Sequence, residues 1–145
     1  MSRHNGENSA GDWGSLVRDW LGDLFERTPL EEIDRLPLGW IAHEAVPLVT
    51  ELMGAVEPRD RVGRPSLSLR GFQRAASFGL SHPAEAAWRI PGELAVLHAR
   101  LVRELAERNS DQRALARAAT DLAELFGVVG EAALSARLRT DRRPG

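Results

Sequence analysis

The stretch Leu115–Ala136, "LARAATDLAELFGVVGEAALSA", decides the fold class. Its residues Leu115, Ala118, Leu122, Leu125, Val129, Ala132 and Ala136 follow one another at steps of 3, 4, 3, 4, 3 and 4. That alternation is the heptad repeat of an α-helix with one apolar seam. Gly127 and Gly130 lie inside it, and each weakens the helix by about 1 kcal/mol relative to Ala. Ser110 is placed to cap this helix, after the break at Asn109.

The same period recurs upstream. Ile90, Leu94, Leu97, Leu101 and Leu105 give a seam to a helix expected from Ala84 to Arg108, with Ser81-His82-Pro83 as its entry and Pro91 as a kink. Ser66 or Ser68 should cap a shorter helix holding Leu69, Phe72, Ala76 and Phe78 and stopping at Gly79. A helix over Pro37–Val56 should bury Trp40, Ile41, Ala45, Leu48, Val49, Leu52, Met53 and Val56, kinked at Pro47. Trp13, Leu16, Val17, Trp20, Leu21, Leu24 and Phe25 mark another apolar face, capped by Asp12. Pro29, Glu31 and Glu32 then read as the first turn of a short helix continued by Ile33 and Leu36. Residues 57–66, "EPRDRVGRPS", read as a loop. No segment alternates as a strand does. The expectation is an all-α helical bundle of about five helices, with residues 1–11 a disordered lead-in, 12–138 the domain and 139–145 a polar tail or linker.

Composition narrows the chemistry. With 145 residues and 43% hydrophobic content, the chain can bury a core as one domain. It has no cysteine, so disulfides, thiolate metal sites and thiol nucleophiles are excluded. All 19 basic residues are Arg, which removes lysine Schiff bases and the phosphate-loop lysine. The net charge of −2 argues against nucleic acid. No apolar run reaches the roughly 18 residues of a membrane span, and "MSRHNGENSAGDW" has no signal-peptide core. The expected location is cytoplasmic, with no membrane partner.

Within that frame three sets of residues carry possible function. Trp40 and His43 flank the Pro47 kink, Trp88 precedes Pro91, and His98 lies beside the apolar seam. If the two kinked helices face each other, these four line a pocket for a small ligand or a haem; if not, they are core and surface residues. Arg59, Arg61, Arg64, Arg70 and Arg74 outnumber the two nearby acids, Glu57 and Asp60. They would contact an anion, nucleic acid or an acidic partner, or form a solvated loop. Leu115, Leu122, Leu125 and Val129 on the heptad seam would form a homodimer interface. Zinc-type His spacing, the nucleophile elbow and glycine phosphate loops are all absent, so no cofactor is required and no enzyme is expected.

Trp20-Leu21, the junction "RTPLEEIDRLP" at 27–37, Trp40-Ile41 and "DLAELFGVVGEAAL" at 121–134 carry a resemblance. The chain resembles the helical N-terminal regulatory regions found ahead of GGDEF-type diguanylate cyclase domains in GC-rich actinobacteria. It is more loosely similar to the helical sensor modules of stress-response sigma-factor regulators. The GGDEF signature is not in this chain, so no catalytic residue carries over. The resemblance implies a non-catalytic, dimeric regulatory module whose last helix connects to an output domain.

Overall fold

The computed structural model describes residues 4–56 and 64–141, with side chains described for 13–56 and 64–140. Helix α1 spans His4–Arg27, α2 Leu30–Ile33, α3 Leu38–Val56 and α4 Leu69–Leu80. A 3-10 segment, Ala84–Arg89, leads into α5 (Ile90–Arg108), and α6 spans Gln112–Asp141. Among the described residues there is no strand, and the protein is an all-α bundle.

Several boundaries differ from the sequence expectation. The backbone of α1 starts at His4, about two turns before the cap expected at Asp12. Residues 1–3 of the expected lead-in, 57–63 of the expected loop and 142–145 of the expected tail lie outside the described residues. Ser68, not Ser66, caps α4, its hydroxyl accepting from the Gly71 N–H at 3.0 Å. Asp111, not Ser110, caps α6, accepting from the Arg113 N–H at 3.0 Å. Pro91 does not kink a long helix: it sits in the first turn of α5, where its missing N–H costs nothing.

Packing follows the 3.6-residue period closely. α5 buries Ile90, Leu94, Leu97, Leu101 and Leu105, and α3 buries Ile41, Ala45, Leu48, Val49, Leu52, Met53 and Val56. Trp40, expected on that buried side, is instead exposed, because it lies about 100° around the helix from Ile41. In α4 the buried face is Gly71, Ala75, Phe78 and Gly79, leaving Leu69 and Phe72 in solvent. α6 lies along α3, α4 and α5, and α1 closes the other side against α3 and α5.

The heptad seam of α6 is consumed within one chain. Leu122, Leu125 and Val129 are fully buried in the common core, and Leu115 packs half-buried against it. They are therefore not an available dimer interface, which corrects the expectation drawn from their spacing. After Val129 the buried positions are Ala133 and the seam residue Ala136, while Ala132 is half-buried.

α4 and α6 touch backbone to backbone. A Cβ on Gly79 would fall 2.7 Å from the carbonyl carbon of Ala133 and 2.9 Å from its Cα. Neither is a flexible side-chain end, so α4 cannot carry any larger residue there. Gly79→Ala should lower unfolding stability by about 3 kcal/mol in urea titration, despite the higher helix propensity of Ala. A neutral or stabilising result would mean that the two helices separate easily.

A charged clamp joins α1 to α5. Arg100 donates from Nε to Asp23 Oδ2 at 2.7 Å and from a terminal nitrogen to Oδ1 at 3.0 Å. The Arg100 hydrogen bonds hold the Asp23 carboxyl below its ordinary value of 3.8. A carboxylate pKa lowered by folding stabilises the native state above the unfolded value and loses that contribution as the pH falls through 3.8 toward the folded value. Asp23→Asn should therefore lower the melting temperature at pH 7, with the gap to the unsubstituted protein narrowing progressively as the pH falls below 3.8. A gap that persists unchanged at low pH would count against the clamp.

Candidate functional site

The connections α2–α3 and α4–α5 meet at one end of the bundle, and there the fold leaves large apolar side chains uncovered. Trp40 is 53% exposed and Trp88 is 68% exposed. Trp40 borders an open groove of about 510 Å³ with Asp34, Arg35, Leu36, Pro37, Leu80, His82, Pro83 and Arg137. Trp88 borders a second groove of about 250 Å³, with Glu32, Arg35, Leu36, Pro83, Glu85, Ala86 and Arg89. Arg35, Leu36 and Pro83 belong to both, so the two grooves form one continuous face.

Under this face lies a buried polar network. Ser81 and His82 are fully buried, and Glu93 is 3% exposed. The His82 Nδ1 lies 2.9 Å from the Phe78 carbonyl, which can only accept, so Nδ1 carries a proton. Its Nε2 lies 2.5 Å from Glu93 Oε1. Arg89 Nε faces the other Glu93 oxygen at 3.5 Å, one helical turn away in sequence. The same guanidinium donates to Glu32 Oε1 at 2.6 Å and to the Thr28 hydroxyl at 2.7 Å. The Thr28 hydroxyl in turn donates to the Leu24 carbonyl at 2.6 Å.

Two further bonds tie in the remaining helices. The Trp20 indole N–H donates to the Glu93 backbone carbonyl at 3.0 Å, from a fully buried ring. Arg137, near the end of α6, donates to the His82 backbone carbonyl at 2.7 Å. Phe78 fills the space between, with its ring 6.0 Å from Trp20 and 5.0 Å from His82.

The residues singled out in the sequence meet only in part. Trp40 and Trp88 do border one face. His43 is exposed on α3 and borders neither groove. His98 lies elsewhere, in an apolar groove of about 420 Å³ between α5 and α6, stacked on Phe126 at 4.6 Å. Burial there pushes its imidazole below the ordinary 6.5, so it is neutral at pH 7. The four do not converge, and the expected pocket between two kinked helices is not formed, because Pro91 makes no kink.

Three residues of the Arg cluster are described. Arg59 and Arg61 lie outside the described residues. Arg64 pairs with Glu124 on α6, its Nε donating at 2.8 Å, while Arg70 is exposed and Arg74 half-buried on α4. No group of His, Asp and Glu among the described residues is arranged to hold a metal ion. No described helix is long and apolar enough to cross a membrane.

His82, Glu93, Arg89, Arg35 and Arg137 were not anticipated from the sequence as site residues. One signal was present: Glu93 falls three residues after Ile90 and four before Leu97, on the apolar face of α5. A carboxylate there must be buried and must therefore find partners. No family model, curated protein or solved structure matches this chain.

Breaking this network from one side leaves a buried group without its partner. Glu93→Ala should destabilise the fold by about 3–5 kcal/mol in denaturant titration, since His82 loses its hydrogen-bond partner and Arg89 loses the carboxylate charge that faces it. Glu93→Gln, which keeps a side-chain oxygen for His82, should cost clearly less. Equal losses for the two variants would show that packing, and not the polar contacts, sets the cost.

Proposed function

We propose that this chain is a non-catalytic regulatory module of a bacterial signalling protein that passes a signal through α6 to an output domain, covalent or separate. The observation that carries this reading is the Arg137 bond to the His82 carbonyl. It joins the final turns of α6 to the turn that floors the tryptophan-bordered face. Binding at that face would act on Pro83 and Leu36, next to His82, and so on the group that Arg137 grips. Three elements then respond together: the α4–α5 turn through His82, α5 through Glu93 and α6 through Arg137. The heptad seam supports the same role in a different way from that first expected. Its leucines hold α6 in the bundle core, and the bond from Arg137 ties the last turns to the His82 turn.

A direct check is hydrogen exchange on the unliganded chain. Arg137→Ala should raise exchange about tenfold or more in amides of residues 134–141 and of the 81–83 turn. Amides around Leu122 and Leu125 should stay protected. Exchange left unchanged in the α6 end would sink the relay, because the bond would then couple nothing.

A further inference from the structure

We infer that the face bordered by Trp40 and Trp88 docks a peptide segment of a partner protein, one that carries two bulky apolar side chains with a carboxylate between them. This names a partner for the regulatory reading above and rests on it for its meaning, although its test is separate. Trp and Arg are the residues most enriched at binding hot spots, and a covered Trp buries on the order of 150–250 Å². Here two Trp side chains stand exposed on one continuous face, with Leu80 beside one of them. The two grooves offer two places for apolar anchors, separated by Arg35, Leu36 and Pro83.

Charge selects what lies between the anchors. Arg35 is exposed on the ridge shared by both grooves, and among the described residues its guanidinium has no ion pair or side-chain hydrogen bond. The other cations of the face are engaged: Arg89 by Glu32 and Glu93, Arg137 by the His82 carbonyl. A carboxylate at the centre therefore meets the one uncommitted positive charge described there, in bidentate geometry that Arg suits. Asp34 lines the groove that Trp40 borders and Glu85 the groove that Trp88 borders, so each groove also carries a negative charge. Those two acids oppose an anionic lipid surface or a nucleic acid backbone, each of which presents negative charge throughout. A polypeptide with a single central acid avoids both.

The floor beneath is prepared for such a contact. The polar network holds the α4–α5 turn, α2 and the 3-10 segment in place before any partner arrives, which lowers the ordering cost of binding.

The test starts from a library of random linear peptides displayed on phage and selected on the full chain. Enriched peptides should share an Asp or Glu flanked by large apolar residues. A synthetic copy of the best peptide should lose about tenfold or more in affinity on Trp40→Ala and again on Trp88→Ala. His43→Ala, on the same helix but off the face, should leave affinity unchanged. On Arg35→Glu the selected central residue should change from acidic to Arg or Lys. All four positions are exposed, so circular dichroism should show unchanged folding. No enrichment over a bare surface, or binding that survives both Trp substitutions, would overturn the inference. So would a dimer of the free chain in sedimentation that Trp40→Ala dissolves, since the face would then belong to a second copy. Peptide binding with no change in exchange at residues 134–141 would leave the docking face standing and remove only the relay.

Discussion

The burial of one carboxylate organises this end of the molecule. Moving Glu93 out of water costs several kcal/mol unless partners offset it; His82 bonds Oε1, and Arg89 offers its charge to Oε2 from 3.5 Å without a hydrogen bond, so the offset is partial. Those two partners come from different elements, so satisfying one charge fixes the α4–α5 turn and the 3-10 segment relative to α5. The backbone carbonyl of the same residue takes the Trp20 indole and brings in α1. Arg89 then reaches Glu32 and Thr28. That reach matters because α2 has only four residues and buries none of them. Too little apolar surface is covered there to hold α2 by packing, and the polar link does the positioning instead.

Elsewhere the fold rests on ordinary apolar periodicity, and that part was legible. Apart from Trp40, the apolar residues read from the sequence for α3 and α5 are the buried ones, because a side chain one turn away along a helix must share its environment. Where the reading slipped, it slipped by one helical position, as with Trp40, or by taking Pro91 as interior rather than first-turn. Local rules do not separate those cases, since the residue before a proline and the residue after a cap look alike in isolation. The heptad of α6 shows a deeper limit. Seven-residue spacing states that a helix has a continuous apolar seam, but not whether the surface that fills it belongs to the same chain. Gly79 against Ala133 shows how closely α4 approaches from within the same chain.

The site was less legible than the fold, for a physical reason. Helical faces are built from residues three and four apart, whereas the network joins Trp20 to Glu93, Thr28 to Arg89 and His82 to Arg137. Such pairings are set by tertiary packing and leave no local spacing to read. The exception is Glu93 itself, whose place among Ile90, Leu94 and Leu97 identifies a charge that folding must bury. The two tryptophans were visible as unusual residues, but their common face exists only because the connections α2–α3 and α4–α5 meet.

That meeting sets network and surface in one arrangement. A buried ion-pair network contributes little net stability compared with apolar packing of the same volume, so stability alone does not account for it. What it supplies is position: each member must keep its geometry, or a buried charge loses its partner. A face with two uncovered tryptophans gains from that fixity, because anchors held in place bind without first being ordered. The same fixity makes the region responsive as a unit. Any force that shifts the His82 turn acts at once on Glu93 in α5 and on Arg137 in α6. The elements that a docked segment would touch are therefore the elements whose contacts extend to the end of the longest helix described.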